Sequence, residues 1–203
     1  GETFPLLKKL VLRGFTVSTE FVEQLPSTLL HLELTMRGEG VPRYPYLVTS
    51  HLRALPRSLT FLHLQPHFDC SVPNIEALPP TLQTAILSTK LKDETLELFP
   101  KSLTLLEAGT ETLSAQSAVS VPSFVRSLSI NVNNPADATT WSQQVLPDHV
   151  TEIRITGFFD ALQFPQKLTL LELDSSGNLL QQDFQPLPPP LKKLHLHRVS
   201  PSL

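Results

Sequence analysis

The chain has 203 residues, with 16 Lys and Arg against 19 Asp and Glu, a net charge of -3 and a pI near 6.2. That balance lacks the basic stripe of a dedicated nucleic-acid binder, and no apolar run approaches the roughly 20 residues that cross a bilayer. One cysteine, Cys70, excludes an intramolecular disulfide; with no Asn-x-Ser/Thr acceptor in the chain, this points to a reducing, intracellular and cytoplasmic setting.

Proline is the compositional anomaly, at 19 residues against 7 Gly. Its spacing carries the information. In chain order, an apolar-Pro step recurs at Phe4-Pro5, Leu25-Pro26, Leu55-Pro56, Leu78-Pro79, Phe99-Pro100, Val121-Pro122, Leu146-Pro147, Phe164-Pro165 and Leu187-Pro188. Successive spacings are 21, 30, 23, 21, 22, 25, 18 and 23 residues. A fixed period of this length is the signature of a stacked array.

The residues after each proline are equally regular. The first unit runs one residue short, from Pro5 to Leu7, Leu10 and Leu12. Pro26 then leads to Leu29, Leu32 and Leu34, and Pro56 to Leu59, Leu62 and Leu64. The same pattern continues through Leu82, Ala85 and Leu87, then Leu103, Leu106 and Ala108, then Val125, Leu128 and Ile130. It ends with Val150, Ile153 and Ile155, then Leu168, Leu171 and Leu173, then Leu191, Leu194 and Leu196. Proline sets its own φ and drives the preceding residue into an extended conformation. The closing apolar-x-apolar has period two, so both side chains share one face of a short strand. A lone strand cannot bury that face, and stacking about nine of them joins the apolar columns into one core.

Between strands, three segments carry helical signals. Ser18 to Glu23 offers a cap followed by a helical pattern, and Asp93 to Leu98 repeats it. Asn134-Pro135-Ala136-Asp137 opens a third, running to about Gln144, with proline at the first helical position. The longest unit carries an insertion from Arg37 to Ala54 whose second half reads as helical. Trp141 is expected to cover a seam between helix and core.

The unit Leu-Pro-x-x-Leu-x-x-Leu-x-Leu resembles the leucine-rich repeat, most closely in Leu25 to Leu34 and Leu187 to Leu196. Within that family it is similar to the Leu-Pro-starting variant of FNIP-repeat proteins and of bacterial type III effectors. The resemblance implies an α/β solenoid over residues 1–203: a leucine-rich-repeat horseshoe with a parallel concave sheet of about nine short strands and an irregular or short-helical convex side. It departs from the family in one column. The typical repeat places Asn three residues after its last strand Leu, whereas here only Asn133 occupies that place. The turns must satisfy their backbone groups in another way. Neither end carries a recognisable polar cap, so the array reads as a piece of a longer one, or as one with an end covered by another chain.

The function expected of this architecture is a protein-binding scaffold acting through the concave face. The alternatives are a structural subunit of a complex, or the recognition part of an enzyme whose catalytic domain lies elsewhere. The candidate face residues are Glu33, Phe61, His63, Leu105, Glu107, Glu152, Arg154, Glu172, Asp174, His195 and His197, all at outward strand positions. Tyr44 and Tyr46, on the long insertion, are candidates for loop recognition. The chain is not read as an enzyme: it has no Gly-x-Ser-x-Gly, no phosphate-cradling glycine loop and no His-Glu-x-x-His. No cofactor is implied, and a small-molecule substrate, a membrane or nucleic acid is not the expected partner. His195-x-His197 and the loose set His63, His67 and Cys70 have metal-like spacing, but neither has a further ligand nearby that completes a site.

Overall fold

Proline organises each repeat as a tight turn. In the computed structural model, the amide of the residue three after proline donates to the proline carbonyl in every unit from Pro26 onward, for example Leu29 to Pro26 at 3.0 Å and Leu103 to Pro100 at 2.9 Å. The residues described are 6–14, 18–35, 49–65, 71–90, 93–109, 121–132, 146–157, 163–175 and 187–197. Each turn feeds a short strand: β1 (Lys9–Arg13), β2 (His31–Thr35), β3 (Phe61–Gln65), β4 (Thr84–Lys90), β5 (Leu105–Gly109), β6 (Ser127–Val132), β7 (Glu152–Gly157), β8 (Leu170–Ser175) and β9 (Lys193–His197). They form one open sheet in sequence order, every pair parallel. At about 4.8 Å per strand the sheet is roughly 40 Å long.

The register follows the apolar pattern without slippage through the core columns. Leu10, Leu32, Leu62, Ala85, Leu106, Leu128, Ile153, Leu171 and Leu194 lie side by side. A one-residue slip would turn these side chains to the opposite face, so burial specifies the register. One irregularity occurs, a shift between Leu87 and Lys90 that sets Lys90 opposite Gly109. The period-two pattern pairs Ser88 with Gly109; Lys90 stands there instead, because two extra residues, Ser88 and Thr89, enter the strand.

Helices cover the other side of the core. They are α1 (Thr19–Glu23), α2 (Thr49–Ala54), α3 (Val72–Glu76) and α4 (Asp93–Leu96). Ser18 caps α1, its hydroxyl accepting from the Phe21 amide at 3.2 Å, which relieves one of the donors left open at a helix start. Each helix stops before an apolar-Pro step, as the restriction on the residue before proline requires. The signals at Ser18, at Asp93 and in the late part of the long insertion each produced a helix. The helix α3 has no counterpart among the sequence expectations, although Pro73 stands in its first turn. The expected helix at Asn134, and Trp141, lie outside the described residues.

Successive coils among the described residues contribute equivalent buried side chains. Val22, Leu52, Ile75 and Leu96 stand four residues before their proline, and Leu55, Leu78 and Phe99 one before. With Leu29, Leu59, Leu82 and Leu103 from the turns and the strand columns, they form one continuous core. Burial weakens at both ends of the described array: Leu7, Leu10 and Leu12 of the first coil are only partly buried, and the last coil is the most open. Leu194 and Leu196 occupy core columns yet are 39% and 46% exposed, against 0% for Leu171 and Leu173 one strand earlier. The sequence pattern places both in the core; they are open because no described strand lies beyond β9.

Candidate interaction face

The side of the sheet away from the helices presents three outward columns. The register brings Val11, Glu33, His63, Ile86, Glu107, Ser129, Arg154, Glu172 and His195 into the central one. Phe61, Leu105 and Glu152 fall in the column before it, with Lys9, His31, Thr84, Ser127, Leu170 and Lys193. Asp174 and His197 fall in the column after it. All eleven sheet candidates therefore share one face. Tyr44 and Tyr46 lie outside the described residues, as do His67 and Cys70.

Near the N-terminal edge, charge is gathered around Glu33. His31 Nε2 lies 2.6 Å from Glu33 Oε1, and Lys9 Nζ lies 3.3 Å from the same oxygen. The His31 hydrogen bond holds the Glu33 carboxyl below its ordinary value; Lys9 adds to the effect and desolvation opposes it. The His31 ring also stacks on Phe61, with centroids 3.9 Å apart and planes 5° from parallel. That stack orients the imidazole toward Glu33 and covers part of the Phe61 ring.

A second cluster lies near the other edge. Arg154 donates to Glu172 at 2.9 Å across β7 and β8, and His197 of β9 lies 3.8 Å from the other oxygen of Glu172. The imidazoles of His195 and His197 meet edge to face at 6.4 Å. Among the described residues no group of three His, Cys, Asp or Glu is placed to hold a metal.

Between these clusters the face changes character. The half-buried side chains of Phe61, Ile86 and Leu105 sit on adjacent strands beside Thr84, Ser127 and Ser129. Glu107 stands among them, and among the described residues it makes no ion pair. The centre of the face thus combines an apolar ledge with a carboxylate that makes no ion pair among the described residues, while Glu33 and Glu172 nearer the ends are paired.

Two polar columns escaped sequence reasoning. The first runs along the turns. Thr28, Ser58, Thr81 and Ser102, each two residues after its proline, donate to carbonyls of the preceding coil. Ser58 reaches the Leu29 carbonyl at 2.7 Å, and Ser102 the Leu82 carbonyl at 2.7 Å. This hydroxyl ladder ties coil to coil at the turn that precedes each strand. The second column is His51, Asn74 and Thr95, five residues before their prolines and buried on the helical side. Thr49 donates to Asn74 at 2.6 Å, linking α2 to α3. Both columns were visible as a fixed offset from proline, a signal masked by mixed residue types.

A parallel strand ladder in sequence order, a continuous core of Leu columns and helices on the opposite side define a leucine-rich-repeat fold. A solved structure shares this fold. The leucine-rich repeat-containing protein LegL7 from Legionella pneumophila superposes with a TM-score of 0.53 at 14% identity, covering 88% of this chain and 68% of that one. CroV588, a circular leucine-rich-repeat protein, matches with a TM-score of 0.47 at 18% identity over 88% of this chain, which spans only 28% of that protein. No family model and no curated protein matches the sequence. Among the described residues, no helix is long and apolar enough to cross a membrane.

Proposed function

We propose that this chain is a protein-binding module whose partner seats across the middle of the concave face. The observation that carries the reading is the ledge of Phe61, Ile86 and Leu105 around Glu107, which makes no ion pair among the described residues. Apolar side chains aligned on a solvated sheet face favour contact with another protein. A carboxylate without an internal partner selects for a cation on the incoming surface, while charges already paired at the ends of the sheet add little. The partner has an apolar ridge with a basic residue near its centre. The Leu-Pro-starting repeat, similar to FNIP and type III effector units, is in keeping with a recognition surface carried on an intracellular scaffold. The reading assigns the chain no catalytic step and no cofactor.

Affinity capture with the chain, followed by mass spectrometry, tests it. Reversing the charge at Glu107, alone and together with Arg154, should deplete the captured partner about tenfold, corresponding to one lost charge-assisted contact. The variants should keep the circular dichroism of the parent. Undiminished capture by folded variants would count against the concave face.

A further inference from the structure

The net charge of -3 conceals a separation of charge between the sides of the array. The helical side exposes Glu20, Glu23, Glu76 and Glu97. The proline turns, which lie between that side and the strand starts, expose the opposite sign. At turn positions one, two or four residues after proline stand Arg57, Lys101, Arg126, Lys167 and Lys192, with Lys8 equivalent in the short first unit, and all are exposed. Asp148 is the one acidic residue at these positions among the described residues. Hydrogen bonds stack the turns directly on one another. The Lys8 carbonyl accepts from the Leu30 and His31 amides, and the Arg126 carbonyl from those of Thr151 and Glu152. The cations therefore form a row along one edge of the array. Arg126 donates to the His149 carbonyl at 3.1 Å, but among the described residues none of the six makes an ion pair.

The shape of the row says what fits it. Its members stand one or two coils apart, so successive charges are about 5 or 10 Å apart along the edge. The row is narrow and flanked by carboxylates, those of the helices on one side and Glu107, Glu152 and Glu172 of the sheet face on the other. A broad anionic surface, such as a bilayer or a nucleic-acid duplex, would overlap those carboxylates and be repelled. A single extended strand of negative charge would meet the cations alone, because screening confines each charge to about 8 Å at physiological salt. Single-stranded nucleic acid also needs aromatic rings on which its bases stack. The described rings at these turn positions, Phe124 and His149, are half-buried.

We propose that the proline-turn edge binds an extended acidic segment of another protein, at a surface distinct from the concave face. An extended chain advances about 3.3 Å per residue, so Asp or Glu at every second or third position keeps pace with the row. Arg57, Lys101 and Arg126 form the middle of the site and Lys167 continues it. The stacked turns hold these charges in place before the segment arrives, which limits what must be ordered on binding.

Fluorescence anisotropy on the 203-residue chain tests the proposal. The probe is a labelled peptide of about 12 residues alternating glutamate and serine, which spans roughly 40 Å when extended. It should bind at least about tenfold more tightly than the same peptide with lysine for glutamate, and more weakly as salt rises. Arg57→Glu combined with Lys101→Glu should weaken binding about tenfold through two reversed contacts. Arg13→Glu, at the opposite end of β1, should leave it unchanged. All three positions are exposed, so the variants should keep the parent's circular dichroism. Equal binding of the two peptides, or an equal loss in Arg13→Glu, would overturn the proposal. So would tighter binding of an oligothymidylate of the same charge, or cosedimentation with phosphatidylserine vesicles at the same salt.

Discussion

Glu33 shows how much a single side chain takes from its neighbours. Its outward position was readable from the period-two pattern of β2, but its environment was not. Lys9 lies on another coil, and the Phe61 ring that orients His31 lies on a third. The His31 hydrogen bond, aided by Lys9, lowers the Glu33 pKa from its ordinary 4.5. A depressed carboxylate contributes stability that is complete above the unfolded value and is lost as pH falls through the folded one. We therefore expect the stability gap between the parent and Glu33→Gln to be widest near neutral pH and to close on acidification below 4.5. Urea titrations across that range would show it; a gap independent of pH would mean that the cluster does not couple to folding.

At the scale of elements, the turns do two jobs. Proline shapes the entry to each strand, and the hydroxyl two residues later fastens it to the preceding coil. Thr81 illustrates the second job, with its Oγ1 2.8 Å from the Leu59 carbonyl and 2.5 Å from that of Arg57. Thr81→Val keeps the shape and removes the donor. The expected loss is about 1 kcal/mol, the net worth of one such bond, measured as a lower urea midpoint at unchanged m-value. No measurable shift would show that water replaces the hydroxyl without cost. The later coils place Phe124, His149, Lys167 and Pro190 at the same offset, so the hydroxyl ladder belongs to the first half of the array. Among the helices, α1 was legible because a capping serine precedes an apolar pattern. The helix α3 is no shorter than α1 and has Ser71 and Pro73 at its start, a signal of the same kind, although the Ser71 side chain makes no capping hydrogen bond.

At the scale of the whole molecule, an array whose coils touch only their neighbours unfolds by zones. Leu171 in β8 is fully buried, and Leu171→Ala should cost about 2–5 kcal/mol through lost burial and a residual cavity. Because β9 has a described neighbour on one side only, that loss should free the C-terminal end first. Native-state hydrogen exchange should show amides of β8 and β9 losing protection while β2 to β5 keep theirs. Uniform loss across all nine strands would indicate a single cooperative unit instead.

The sequence alone determined the coil, its approximate number and the register of the core columns, because the apolar-Pro step and the spacing of leucines act locally and repeat in every unit; the shift after Leu87 was not legible in it. It also placed the eleven candidate residues on one face, since strand alternation leaves no other choice. Tertiary structure decided which of those residues pair and where the core is left open. Those properties depend on distances between coils about 23 residues apart in the chain, which no local pattern encodes. Glu107 and Glu172 occupy equivalent positions on their strands. Only the residues stacked beside them leave one without an ion pair among the described residues and make the other the centre of an ion cluster.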